Sequence, residues 1–430
     1  MRQKATYIIS NMDYFKTKLL IWSSQFQQSA FLNGQTDLSY GCYLKYDLLL
    51  GVESLSEISP KNNSFDKLKE YHDLHKDWLF GYLSYDLKNE IEDLSSDNDD
   101  YLHFPKLYFF QPKWVFEIQK NRLIIHFPIT VTRKEMQLLF NDIMKTELNI
   151  QKNNRIQINK RTSKENYYYH FEELKNHILR GDIYEVNYCH EYYATSATIN
   201  PIQVYLNLQK LSSAPFSTFF KSYHHFILSS SPERFLKKIS NKLVSQPIKG
   251  TRKRGLEPFQ DEELKNDLKN CPKEQSENVM IVDLVRNDLS RTAQVNSVKV
   301  EELFGIYSFP QVHQMISTVT SEMKNDIHWI EALKTTFPMG SMTGAPKIRA
   351  MQLIEEHESF KRGLYSGSVG YITPHGDFDF NVVIRSILYN SNTNYLSFSV
   401  GSAITANANA DDEYAECQLK AKAMLEVLNA

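Results

Sequence analysis

Short apolar segments that follow one another without a regular alternation of strand and helix constrain this chain more than any other feature. Downstream of Asn166, FILSSSPERFLKKI, KLVSQPIKGT, GSVGYIT, FDFNVVIRSILY and YLSFSVGSAI read as strands, because β-branched and aromatic residues bounded by turn formers suit a pleated, half-buried surface. Helical spacing predicts a helix in YYYHFEELKNHILRGD that stops at Gly181, with further helices at Lys273–Arg291, Pro346–His357 and Asp412–Leu428. Strands in runs, separated by helices but lacking strict βαβ order, predict an α+β fold with a mostly antiparallel sheet system. Residues 1–150 are rich in Tyr, Phe and Trp, as in YLHFPKLYFFQPKWVFEI, and predict more strands. The polar stretch Gln151–Asn166 is the candidate boundary between this region and a second one at residues 165–430.

Composition argues against several classes of function. Lys+Arg (49) and Asp+Glu (51) nearly balance, whereas nucleic-acid binders usually show a basic excess or stripe. Cys42, Cys189, Cys271 and Cys417 lie far apart and form no CxxC pair, which fits a reducing cytoplasm better than a disulfide framework or a zinc site. The N-terminus lacks a signal-peptide h-region with a small-residue cleavage site. No apolar run approaches the roughly 18 residues of a spanning helix. A cytoplasmic protein without membrane or nucleic-acid partners is expected.

Five segments carry candidate chemistry. Glu274 and Glu277 open one predicted helix, and Glu413 and Glu416 open another. An i,i+3 spacing sets each pair about 60° apart on one helical face. Lys420 continues the second face, opposite the apolar stripe Tyr414, Cys417, Ala421, Leu425 and Leu428. Two such helices could present four carboxylates to magnesium, which prefers hard oxygen ligands; equally, acids there complement the helix dipole. The segment Gly340-Ser341-Met342-Thr343-Gly344-Ala345-Pro346-Lys347 leads into a helix, so its free N–H groups suit an anion or form an ordinary capped start. Arg385 lies in an apolar strand, on the side of Val383 and Ile387; a guanidinium there needs a structural acid or a ligand carboxylate. Lys249, followed by Arg252, Lys253 and Arg254, is a surface lysine or a nucleophile whose amine burial and cations keep neutral.

Taken together, GDIYEVN, SSSPERF, PIKGTRKRG, ENVMIVDLVRNDLSR, VHQMIST, FPMGSMTGAPKIRAM, GSVGYI, FNVVIRS, VGSAITA and EYAECQLKA resemble, in order, the chorismate-utilising enzymes. That family includes anthranilate, aminodeoxychorismate, isochorismate and salicylate synthases. The resemblance implies two packed antiparallel sheets with flanking helices and an active site in the cleft between them. It implies Mg²⁺ held principally by Glu277 and Glu416, with Glu274 and Glu413 supporting. It assigns the two carboxylates of chorismate to Thr343, Gly344, Ala345, Tyr371, Arg385, Gly401 and Lys420.

Lys249 in PIKGT resembles the aminodeoxychorismate branch, where this lysine attacks C2 as the C4 hydroxyl leaves and ammonia then takes C4. Anthranilate synthases usually carry alanine there, since ammonia attacks C2 directly. Glu233 matches a carboxyl with acid–base duty. The isochorismate and salicylate branch has lysine at the place of Glu185 and glutamate at that of Gln246. The resemblance also implies a separate glutaminase subunit as ammonia source, because no amidotransferase segment lies within the chain. Component I of anthranilate synthase and a silent chorismate-binding subunit are the alternatives. Two departures stand out: Glu185, where many relatives have glutamine, and Gln314, where histidine is frequent. The N-terminal region carries a weaker likeness and lacks the LLES-type segment of tryptophan-inhibited relatives.

Overall fold

The computed structural model describes residues 2–34, 43–148, 155–310 and 312–429. Cys42 and residues 151–154 of the expected connection lie outside them. Every strand pair among the described residues is antiparallel and the pairing runs as one network, as the α+β reading expects. It divides into two sheets joined at Leu107–Gln119. That strand pairs through Leu107–Phe110 with Leu79–Leu83, and through Phe109–Ile118 with Leu48–Ile58.

The first sheet continues from Leu48–Ile58 through Gln28–Asn33, Phe216–Ser222, His225–Ser231, Ser386–Asn390 and Tyr395–Ile404 to Glu185–Ala194. The second runs from Leu79–Leu83 through Ser368–Ile372, Phe378–Asn381, Arg234–Ile239 and Lys242–Gln246 to Val312–Glu322. Ile248–Lys253 continues alongside Lys242–Gln246 on that last strand. The N-terminal region therefore supplies strands to both sheets.

Both faces of the first sheet are covered, which hides the period of two in its sequence. Leu49, Phe220, Ile227 and Leu388 pack with Phe80, Phe235, Val369 and Phe380 of the second sheet. Their chain neighbours Leu48, Phe219, Leu228 and Ile387 face the other way, onto Phe15, Leu19, Val204, Cys417 and Met424 of outer helices. The predicted helices form as Lys164–Arg180, Pro272–Ser290, Lys347–His357 and Ala410–Asn429. The first ends at Gly181 with φ 86°, a left-handed conformation that glycine adopts without strain. No helix among the described residues is long and apolar enough to cross a membrane.

Two predicted strands are each broken in two. FILSSSPERFLKKI forms His225–Ser231 in the first sheet and Arg234–Ile239 in the second, parted at Pro232, which lacks an N–H for the ladder. FDFNVVIRSILY forms Phe378–Asn381 in the second sheet and Ser386–Asn390 in the first. Arg385 sits at this crossing with φ 50°. The alternation that places it beside Val383 and Ile387 on a continuous strand therefore does not apply; Val382 and Val383 are consecutive yet both 0% exposed. The crossings lie side by side, with Val382 N–H donating to Glu233 O at 3.0 Å and Ser230 N–H to Arg385 O at 3.1 Å.

Phe380 packs between the sheets with ring neighbours Phe109 and Phe378 at 6.0 and 5.7 Å. Phe380→Ala is expected to lower stability by about 3–5 kcal/mol, seen as a lower urea midpoint at unchanged m-value.

Candidate active site

A cavity of about 670 Å³ opens where the strands change sheets. Glu233 and Arg385 reach it from the two crossings, and Lys249 from Ile248–Lys253. Glu274 and Glu277 reach it from the Pro272 helix, and Glu413, Glu416 and Lys420 from the C-terminal helix. Gly401, Gln314, Ser341 and Met342 complete the wall used below.

The two acid helices do meet. Lys273 Nζ lies 2.7 Å from Glu413 Oε1 and 3.8 Å from Glu277 Oε1, so an ammonium bridges them. Glu277 Oε1 is buried without a hydrogen-bond partner among the described residues. Burial, opposed by Lys249 and Lys273, pushes its carboxyl up to about 7. Burial also raises Glu413, while Lys420, at 2.6 Å, lowers Glu416. Among the described residues no three acidic, histidine or cysteine side chains converge closely enough to enclose an ion as they stand.

Arg385 is half-buried and, among the described residues, has no carboxylate within ion-pair distance. Burial lowers its guanidinium from the ordinary value, against the pull of Glu416 and Tyr365. Lys420 Nζ donates to Gly401 O at 2.7 Å. A Cβ on Gly401 would collide with Cys189 Sγ and the Tyr188 carbonyl, so the close approach of the two strands requires glycine there.

Lys249 Nζ donates to Glu185 Oε1 at 2.5 Å. Burial opposes its charge, but the carboxylates of Glu185, Glu277 and Glu416 outweigh burial and hold the amine above its usual range. The expectation that neighbouring cations keep it neutral fails, because Arg252 turns to Glu274 at 2.9 Å and Arg254 to Asp261 at 2.6 Å. Glu233, 4% exposed, accepts from Ser341 Oγ at 2.6 Å. Burial pushes its carboxyl up to about 7, against the opposing effects of Ser341 and Lys249. A carboxyl poised there can carry a proton at neutral pH.

The family profile described as chorismate binding enzyme matches residues 20–426 of the chain. The chain belongs to the chorismate binding enzyme family. The Escherichia coli (strain K12) protein named aminodeoxychorismate synthase component 1 is 37% identical over 266 residues, 62% of this chain and 58% of that protein. The Synechocystis anthranilate synthase component I-like protein is 32% identical over 381 residues, covering 87% of this chain and 78% of its own length. The aminodeoxychorismate synthase of Arabidopsis thaliana is 40% identical over 264 residues, 61% of this chain but 28% of that protein. The chain thus spans well under two thirds of these aminodeoxychorismate synthases. In fold it is similar to anthranilate synthase component I of Streptococcus pneumoniae, with a TM-score of 0.77 at 24% identity, covering 92% of this chain and 95% of that one.

Within this family member the cavity gathers Glu233, Lys249, the four acids, Arg385, Gly401 and Lys420. It does not gather the rest of the expected set. Tyr371 lies on Ser368–Ile372 among Tyr46, Trp78 and Phe80 and lines a separate small cavity. The tyrosine that reaches the site is Tyr365, in the turn before that strand, with its OH 3.5 Å from Cys189 Sγ. From the glycine loop, Ser341 and Met342 form the wall. Thr343 Oγ1 bonds back to Gly340 O at 3.2 Å, and Gly344 and Ala345 pair with Val186 and Glu185.

Sequence reasoning also missed the buried pair Arg362–Glu358. Arg362 donates to Glu358 Oε1 and to Met342 O at 2.6 Å each, and to Asn187 O at 2.8 Å, fixing the loop from behind. Its only sequence signal is an acid and a base at i,i+4, a spacing common on any surface helix. His313, neighbour of Gln314, faces away onto Ser308 and Asp261 at 2.8 and 2.9 Å.

The raised carboxyl of Glu233 has a linkage consequence. Its folded value of about 7 exceeds the ordinary 4.5, so the neutral form stabilises the fold at low pH and that contribution is lost as pH rises through about 7. Glu233→Gln is therefore expected to match wild-type stability in acid and exceed it in mild alkali, by at most on the order of 3 kcal/mol. Unfolding midpoints measured at about pH 4 and about pH 8 check this.

Proposed function

We propose that the protein converts chorismate and ammonia to 4-amino-4-deoxychorismate, as component I of an aminodeoxychorismate synthase. The observation that carries this reading is the convergence of Lys249, Glu233 and Arg385 on one cavity. Arg385 and Lys420 hold the two carboxylates of the substrate, with Tyr365 beside them. The neutral amine of Lys249 attacks C2, the double bond shifts, and the C4 hydroxyl departs as water with a proton from Glu233. Ammonia then adds at C4, the C2–nitrogen bond breaks, and its electron pair returns to Nζ. Its amino proton passes to Glu233, which restores the acid for the next cycle.

Glu277 and Glu416, with Glu274 and Glu413, would hold magnesium. The buried unpartnered oxygen of Glu277 and the ammonium that already bridges the helices support that fit. The ion supplies charge neutralisation for a substrate carboxylate. A separate glutaminase supplies ammonia, in keeping with the component 1 naming of relatives, and 4-aminobenzoate for folate forms after a lyase acts. Anthranilate formation is the second reading, favoured by the name of the Synechocystis relative.

Incubation with chorismate, Mg²⁺ and ammonium, with and without an aminodeoxychorismate lyase, decides between them. 4-Aminobenzoate that depends on the lyase is expected; anthranilate without it moves the protein to the second reading. Lys249→Ala is expected to remain folded and lose turnover by a factor on the order of 10³, and full activity in that variant removes the covalent role. Glu277→Gln is expected to weaken Mg²⁺ binding about tenfold or more by calorimetry, and an unchanged titration takes it out of the metal site.

A further inference from the structure

Lys249 can attack carbon only as a neutral amine, yet the nearby Arg252 and Arg254 are turned to other acids. Carboxyl groups face it instead: Glu185 from the strand Glu185–Ala194, Glu277 from the Pro272 helix and Glu416 from the C-terminal helix, with Glu233 near enough to feel its charge. Of these, Glu185 hydrogen-bonds Nζ directly, at 2.5 Å. Glu185 is 1% exposed, and its second oxygen, Oε2, is buried with no hydrogen-bond partner among the described residues. Its backbone is fixed against the glycine loop by pairing with Ala345, whose carbonyl also accepts from Tyr184 N–H at 2.6 Å. The carboxylate is thus dry, positioned and in contact with the proton that has to leave.

We propose that Glu185 is the proton acceptor that frees Lys249 for attack and returns the proton when the lysine is expelled. This rests on the covalent-lysine reading above. Nζ gives one proton to Oε1, which leaves a neutral amine beside a neutral carboxyl. The amine's lone pair then forms the bond to C2 while the C4–oxygen bond breaks. When ammonia adds at C4, the C2–nitrogen electron pair returns to Nζ and the Glu185 carboxyl gives its proton back. The exchange turns a buried ion pair into a neutral pair, a change that desolvation favours. Glutamine at this position would keep the hydrogen bond to Nζ but could not take the proton.

The test compares wild type, Glu185→Gln and Glu185→Asp in lyase-coupled turnover at saturating chorismate, Mg²⁺ and ammonium, from about pH 6 to about pH 9. Titration of ammonia affects every protein alike and cancels in the ratio of profiles. At about pH 7, Glu185→Gln is expected to run about 10²-fold slower, with the deficit shrinking as alkali deprotonates the lysine unaided. Glu185→Asp is expected to recover part of the rate with a wild-type-shaped profile. A deficit that stays constant with pH marks a purely structural role and overturns the proposal, as does an undiminished rate at neutral pH. Lys249→Ala, run in parallel, separates the two readings. Activity in that variant sinks the lysine reading and this inference together. An inactive Lys249→Ala beside a wild-type-like Glu185→Gln sinks this inference alone.

Discussion

Hydrogen bonds between two neighbouring chain crossings, Ser230–Glu233 and Val382–Arg385, hold the point where adjacent strands leave one sheet for the other. A chain that leaves a ladder strands its own N–H and C=O groups, and buried ones need partners. Here each crossing satisfies the other: Val382 N–H meets Glu233 O, Ser230 N–H meets Arg385 O, and Ser231 Oγ donates to Val382 O at 2.6 Å. Pro232 has no N–H to satisfy. The cavity opens at this point, and Glu233 and Arg385 line it from the two crossings. The positive φ of Arg385 is strain of a kind that functional positions commonly hold.

Charge balance is the second constraint. Three ion pairs at the cavity join different elements: Glu274 with Arg252, Glu413 with Lys273, and Glu185 with Lys249. Glu416 is matched along its own helix by Lys420. Such pairs register one element against another at little net gain, because desolvation offsets much of the attraction. Arg385 stands apart, without a carboxylate at ion-pair distance among the described residues.

The acid helices were legible because an i,i+3 pair and an apolar stripe on opposite faces are local properties of one helix. Their meeting was not, since it depends on how the Pro272 and C-terminal helices pack on different parts of the sheet system. Tyr371 and Tyr365 show the same limit. Both are buried aromatic residues near one strand, and only the turn at Arg362–Tyr365 decides which one reaches the cavity. The strands around Pro232 and Arg385 were read as continuous because apolar residues run through both crossings, and a strand buried on both faces shows no alternation to break.

Glu233 was pointed out by the family resemblance alone, whereas by itself the sequence determined the α+β class, the helices and the acid pairs and marked Lys249 and Arg385. These are set by residue type and short-range spacing, which act within one element. The tertiary structure decided which strands change sheets, which tyrosine faces the site, and that Lys249 rests on Glu185 rather than among arginines. Those outcomes come from contacts between residues distant in sequence, where backbone hydrogen bonding and the pairing of buried charge select one arrangement.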